Sequence, residues 1–270
     1  MRCRKLERGA DMRVNVAILG GGVGGTLIAN RLHNLLHGDS RHETVITVFD
    51  THGIHTYQPG WLYVPFDRQD PEKLHRPEVR LLHHDIILRA GEAGRVQRIL
   101  PAKKRLITAD GSSFPYDYLV LATGSRNAPE DVPGFAEGAD HFYSEEASIA
   151  LSAKMANFTG GRIVTGVASV PYRCPPAPLE YTFMLEALLR DRGLRDQTEI
   201  HYVFPIGRPF PIQSVSDFVA PLLEQRGVQV HSIISSSVLS HQLLSSLMQQ
   251  ADHNSHYALV LRRGRCLLVS

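Results

Sequence analysis

The sequence predicts an α/β fold of two dinucleotide-binding-type (Rossmann-like) βαβ domains, the first with an inserted β-meander. Three observations predict it. An apolar run, a glycine run, an amphipathic run and a second apolar run follow one another over residues 14–50. Short, turn-bounded strands fill 95–121, and a further strand, helix and strand occupy 162–204. Alternation of strands with helices builds parallel sheets.

Composition sets the bounds. The 270 residues suit one large domain or two modest ones, and 43% hydrophobic with 21% charged residues is ordinary for a globular chain. With 29 basic against 27 acidic residues and no dense basic block, nucleic acid is not an expected partner. No apolar run approaches the roughly 18 residues of a membrane-spanning helix. The cysteines are Cys3, Cys174 and Cys266, an odd set without a CxxC pair. That excludes a disulfide framework and a cysteine zinc site, and it fits a reducing, cytoplasmic compartment.

Residues 1–13 read as an extension. They carry Arg2, Arg4, Lys5 and Arg8 but no apolar core of a secretory signal, and Met12 is an alternative start. Val14–Leu19 is a buried strand. Gly20-Gly21-Gly22-Val23-Gly24-Gly25 follows, then a helical run with apolar Leu27, Ile28, Leu32, Leu35 and Leu36. A second strand, Val45–Phe49, ends in Asp50. Strand, glycine loop, helix, strand and acid form a dinucleotide-binding pattern. Gly20 makes the tight turn, Gly22 lets backbone approach a pyrophosphate, and Gly25 lets the helix sit close on the strand. Gly24 lies in the same loop, whose helix N-terminus offers unpaired N–H groups. Asp50 is expected to accept a hydrogen bond from the adenosine ribose.

Strands at Arg95–Leu100 and Arg105–Thr108 flank a turn, and Asp110-Gly111 marks another. Tyr118–Leu121 then runs into Ala122-Thr123-Gly124. The glycine loop and this segment together resemble the two-dinucleotide-domain flavoproteins, which include the pyridine nucleotide–disulfide oxidoreductases. The resemblance implies FAD as cofactor over a first domain at 14–128. It implies that Thr123 and Gly124 approach the flavin nucleotide and that the backbone near Val96 meets the adenine. The stretch His55-Thr56-Tyr57-Gln58-Pro59-Gly60-Trp61 is similar to a segment that passes the isoalloxazine in quinone-reducing members. By that likeness Gln58, Pro59 and Gly60 lie near the flavin, whereas Trp61 and Tyr63 read as core packing. His52, His55, His83 and His84 show no ligand spacing with carboxylates. They are read as solvated or capping residues, and no metal site is expected.

Residues 129–158 read as a linker, turn-rich at Pro129–Gly134, and a connecting helix at Ser144–Asn157. Ser144 is a natural N-cap, and Glu145 and Glu146 complement the helix dipole. A strand follows at Arg162–Val167, opening a second Rossmann-like domain over 159–235. No second glycine loop follows. The chain instead reads Pro171-Tyr172-Arg173-Cys174-Pro175-Pro176-Ala177-Pro178 before a helix to Gly193. Prolines lack an N–H and cannot cradle a pyrophosphate. Cys174, near a helix N-terminus and beside Arg173, is expected to have a lowered pKa.

This segment resembles the cysteine loop of sulfide:quinone oxidoreductases and flavocytochrome c sulfide dehydrogenases, and the likeness runs from about Val14 to about Ile234. The resemblance implies that Cys174 is catalytic and carries sulfur derived from sulfide or another small sulfur donor. Electrons then pass through the flavin to a quinone or a cytochrome. It also implies peripheral contact with the inner face of the cell membrane in full-length relatives. The family's downstream partner cysteine, its Gly-Asp flavin motif and its amphipathic C-terminal helices are not found here. Residues 236–270 form an atypical serine-rich tail, expected to reflect a truncated or frameshifted reading frame. The alternatives are an NADH:quinone-type flavoenzyme, which needs the missing glycine loop, and a non-catalytic FAD-binding fragment.

Overall fold

The computed structural model describes residues 12–36, 38, 42–129, 138–167, 172–232 and 256–257. Cys3, Cys266, residues 130–137 of the linker, residues 168–171 of the proline loop and nearly all of the tail lie outside the described residues. The chain divides into two compact units. The first is Met1–Thr56 with His75–Gly124, and the second is Tyr57–Leu74 with Ser125–Ser270. The aromatic stretch after Thr56 therefore groups with the second unit, where its place in the sequence suggested the first.

In the first unit, β1 (Met12–Leu19) leads through the glycine loop to α1 (Val23–Leu36) and β2 (His42–Phe49). β3 (Ile54–Thr56) and β4 (His75–Pro77) form a short antiparallel ribbon. After β5 (Ile87–Arg89) comes a meander, β6 (Val96–Leu100), β7 (Arg105–Thr108) and β8 (Ser113–Pro115), closed by β9 (Tyr118–Leu121). The main sheet runs β5–β2–β1–β9, every neighbour parallel. Successive side chains of β1 point to opposite faces. Val16 and Ile18 pack with Ile46, Val48 and Ala29 of α1, while Ala17 and Leu19 pack with Phe49, Leu106 and Tyr116. A strand covered on both faces has to be apolar throughout, which is why residues 16–19 contain no polar side chain. Complete burial of Ile18, Val48 and Leu106 is worth about 1.5–3 kcal/mol each.

In the second unit, α2 (Glu145–Ala156) is capped as expected, the Ser144 hydroxyl accepting the Ala147 N–H at 3.3 Å. β10 (Gly161–Gly166) leads to α3 (Ala177–Asp191), β11 (Thr198–Phe204), α4 (Gln213–Gln225) and β12 (Val228–Ser232). A two-residue strand, β13 (His256–Tyr257), completes a parallel sheet in the order β12–β11–β10–β13. Counted from the first strand of each unit, this matches the order of the first sheet. Its core gathers Tyr181, Leu185, Ile200, Tyr202 and Phe204 with Leu62 and Phe66 of the Gln58–Phe66 turn segment. Tyr63 is 38% exposed, so the packing side chains of that segment are Leu62, Val64 and Phe66, and Tyr63 is not core. The buried Glu186 carboxylate pairs with Arg190 at 2.6 Å and Arg226 at 2.8 Å, tying α3 to the entry of β12. No helix among the described residues is long and apolar enough to cross a membrane.

Candidate functional site

The glycine loop of the first unit is fixed by close approach. Gly20 has φ +103°, and a Cβ there would sit 2.3 Å from the Ala122 carbonyl oxygen. A Cβ on Gly25 would fall 1.8 Å from the Gly20 carbonyl oxygen, so the helix rests on the turn only because Gly25 is bare. Gly22 differs, since a Cβ there would meet nothing within 4 Å. Gly22 and Gly24 are solvent-exposed, and the first N–H groups of α1 have no intrahelical acceptor. The loop is thus an open anion cradle at a helix N-terminus.

Asp50 ends β2 and organises this cradle from below. Its Oδ2 accepts the Gly21 N–H at 2.9 Å, and its Oδ1 accepts the His52 N–H at 2.9 Å and the Gly53 N–H at 2.7 Å. Three lone pairs of the carboxylate serve the protein, leaving one on Oδ2 for a ribose hydroxyl. Gly94 presses on the end of the same strand, a Cβ there lying 2.2 Å from the Asp50 carbonyl oxygen. Half-buried Val96, at the start of β6, packs against the cluster that holds Leu19 and Phe49. Thr123 and Gly124 follow β9, and Thr123 Cα lies 3.2 Å from the Gly20 Cβ position. Gly20, Gly22, Gly24, Gly25, Asp50, Val96, Thr123 and Gly124 accordingly cluster in one unit. His55 is not a solvated residue, for its Nδ1 lies 3.1 Å from an oxygen of the fully buried Glu78.

Gln58, Pro59 and Cys174 belong to the second unit. Cys174 is exposed and adopts φ +54°, a left-handed backbone that costs a side-chain-bearing residue energy. The loop is held on both sides of it. The Tyr143 hydroxyl donates to the Arg173 carbonyl at 2.8 Å, and the Tyr172 hydroxyl donates to the Pro175 carbonyl at 3.1 Å. The Arg173 guanidinium donates to the Ser125 hydroxyl at 2.9 Å and to Gln58 Oε1 at 3.2 Å. The Cys174 thiol is pushed above its ordinary pKa, which corrects the expectation of a lowered one. Desolvation by the surrounding loop is the main cause. The Ala177 N–H acts in the opposite sense, and the Glu180 carboxylate raises the pKa further. The Arg173 guanidinium, next in sequence, is directed to Gln58 and Ser125. Sequence reasoning missed Tyr143, Ser125 and Glu78, because nothing near them in sequence marks their partners.

His33, His83 and Asp85 also come together, with ligand atoms within 4.8 Å of one another. The His33 and His83 rings stack at 3.8 Å with only 23° between their planes. Imidazole binds a metal in its own plane, and two nearly parallel planes share no point near both nitrogens. The cluster is therefore not a preformed metal site.

The model of the pyridine nucleotide-disulphide oxidoreductase family matches residues 14–166, more than half of the chain. The chain belongs to that family. A mitochondrial sulfide:quinone oxidoreductase from Dictyostelium discoideum is 25% identical over 224 residues, covering 79% of this chain and 47% of that protein. An alternative NAD(P)H-ubiquinone oxidoreductase from Arabidopsis thaliana is 28% identical over 205 residues, covering 68% of this chain and 38% of that protein. The structure of the Aquifex aeolicus sulfide:quinone oxidoreductase aligns with TM-score 0.68 and 21% identity over 83% of this chain and 52% of that one. The chain thus spans about half the length of the curated sulfide:quinone oxidoreductases it matches. Pyridine nucleotide-disulphide oxidoreductases of this kind are FAD flavoproteins, and the first unit fits that cofactor. The open side of Gly22 leaves room for a pyrophosphate, and Asp50 keeps one lone pair for a ribose.

Proposed function

We propose that this chain is an FAD-dependent oxidoreductase of the sulfide:quinone type, with Cys174 carrying the sulfur and a quinone as electron acceptor. The observation that carries the reading is the built loop at Cys174, an exposed thiol held in left-handed backbone by Tyr143, Tyr172 and Arg173. Similarity to sulfide:quinone oxidoreductases of Dictyostelium discoideum and Aquifex aeolicus supports it. Gly20–Gly25, Asp50, Thr123, Gly124 and the backbone at Val96, all of the first unit, would hold the FAD nucleotide. Bound flavin supplies a two-electron acceptor. Sulfide supplies the sulfur, and Cys174 carries it. A thiol and hydrogen sulfide become a cysteine persulfide with the loss of two electrons and two protons, and the loop keeps that persulfide exposed to a second sulfur nucleophile. We place the protein in the cytoplasm, in peripheral contact with the membrane that holds the quinone.

A second reading, an NAD(P)H:quinone flavoenzyme, is favoured by the Arabidopsis thaliana relative. One experiment separates the two. FAD-loaded chain is mixed anaerobically with sulfide or with NADH while the oxidised-flavin band is followed, and Cys174 is then examined by mass spectrometry. The sulfide reading expects bleaching with sulfide and one added sulfur atom on Cys174, neither of them in Cys174→Ser. Fast bleaching by NADH, or equal bleaching of the Cys174→Ser protein by sulfide, contradicts it.

A further inference from the structure

Glu78 is completely buried, yet it carries a carboxyl group, and no motif in the sequence points to it. It follows β4, far downstream of the glycine loop, and its side chain reaches back beneath that loop. One carboxyl oxygen is hydrogen-bonded to the Thr26 hydroxyl, and the other lies 3.1 Å from His55 Nδ1. Its backbone N–H donates to the Gly53 carbonyl at 2.9 Å.

These bonds close a circuit around the glycine loop. The Gly21 N–H and the Gly53 N–H both donate to Asp50. The Gly53 carbonyl takes the Glu78 N–H, and the Glu78 carboxyl holds Thr26. The Thr26 hydroxyl lies 2.9 Å from the Gly22 carbonyl and 3.2 Å from the Gly21 carbonyl. Gly21 is therefore held at its N–H by Asp50, while its carbonyl and that of Gly22 lie against the Thr26 hydroxyl. What remains free is the open side of Gly22. A hydroxyl has one proton, so Thr26 donates to one of these three oxygens at a time, and its contact with Glu78 keeps the side chain beside the two glycine carbonyls. An apolar residue would fill the same space at less cost than a buried carboxyl group.

We propose that Glu78 is a positioning residue for the bound dinucleotide. It acts through Thr26 on the Gly21 and Gly22 carbonyls, and His55 holds its second oxygen. The inference rests on the reading that this loop takes the pyrophosphate of FAD.

The test is an FAD titration of the apoprotein, followed by flavin fluorescence, alongside apoprotein melting. Glu78→Gln keeps hydrogen-bonding atoms in place and leaves the Kd within about threefold of wild type. Glu78→Met and Thr26→Val each raise the Kd about tenfold or more, the ratio produced by losing one such bond. Thr26→Ser restores the wild-type value. The double variant Glu78→Met/Thr26→Val is no worse than the weaker-binding single, because both changes break one circuit. Kd values that stay unchanged, or that multiply in the double variant, overturn the proposal and leave Glu78 a packing residue. Should Glu78→Met not fold, the Thr26→Val and Thr26→Ser pair decides. Wild-type apoprotein that takes up no FAD refutes the underlying reading, a result that differences among variants cannot imitate.

Discussion

The Tyr143 hydroxyl donates to the Arg173 carbonyl oxygen at 2.8 Å, immediately before Cys174. Tyr143 is buried and its ring stacks on Phe142 at 4.9 Å. Burial drives its phenol pKa far up, so the group stays protonated and remains a donor. Tyr143→Phe keeps the ring and removes the donor. We expect a stability loss of about 1–2 kcal/mol in urea unfolding, together with faster proteolysis near Arg173. Unchanged unfolding in this variant would show that the loop holds itself.

The thiol of Cys174 should titrate late. Alkylation rates measured against pH in a Cys3→Ser/Cys266→Ser background should show a midpoint above the roughly 8.5 of an ordinary thiol. Desolvation is the main cause, so Glu180→Gln should lower the midpoint only slightly. A midpoint below that of free cysteine would restore the simple expectation of a helix-activated thiolate.

Two glycines should separate folding from binding. Gly25→Ala forces a methyl group to 1.8 Å from the Gly20 carbonyl oxygen, and overpacking of this kind costs about 1–3 kcal/mol or more. Gly22→Ala meets no protein atom within 4 Å, so it should fold and melt like wild type. It should nevertheless lose most of its FAD affinity, since the methyl occupies the side open to the pyrophosphate. Equal FAD affinity in Gly22→Ala would move the pyrophosphate elsewhere.

His201 on β11 and His231 on β12 share a hydrogen bond of 2.8 Å between His201 Nδ1 and His231 Nε2. Two imidazolium rings cannot share it. Burial lowers the pKa of both. For His201 the Glu199 carboxylate, itself held by Arg162, pulls upward, while the charges of His231 and Arg162 pull downward. A folded pKa below the unfolded value means that the unfolded chain binds more protons. Stability from the pair is therefore complete above the ordinary imidazole value of about 6.5 and is lost as pH falls below it. Urea midpoints at acid and neutral pH should differ more in wild type than in His231→Gln. An identical pH dependence in the two proteins would remove the pair from the stability profile.

The glycine loop was legible because its constraints are local. Turn, helix start and strand end lie within a few residues, and each demands a particular residue type. Ser144 was legible for the same reason, a cap being a contact over three positions. Glu78 was not, because a glutamate in an ordinary turn reveals nothing until the chain folds back on Thr26. Arg173 was misjudged for a related cause. Sequence put its charge beside the thiol, but side-chain direction is set by Ser125 and Gln58, which approach from elsewhere in the second unit. The exposure of Tyr63 and the grouping of Tyr57–Leu74 with the second unit were likewise decided by packing across long sequence separations.

The central claim is that this chain is a flavoprotein built on the Gly20–Gly25 cradle. Apoprotein offered FAD and NAD together, washed, and heated to release what it retained, should yield FAD identified by absorbance and chromatography, with Gly22→Ala yielding little. Retention of NAD without flavin, or equal flavin retention by Gly22→Ala, would contradict it.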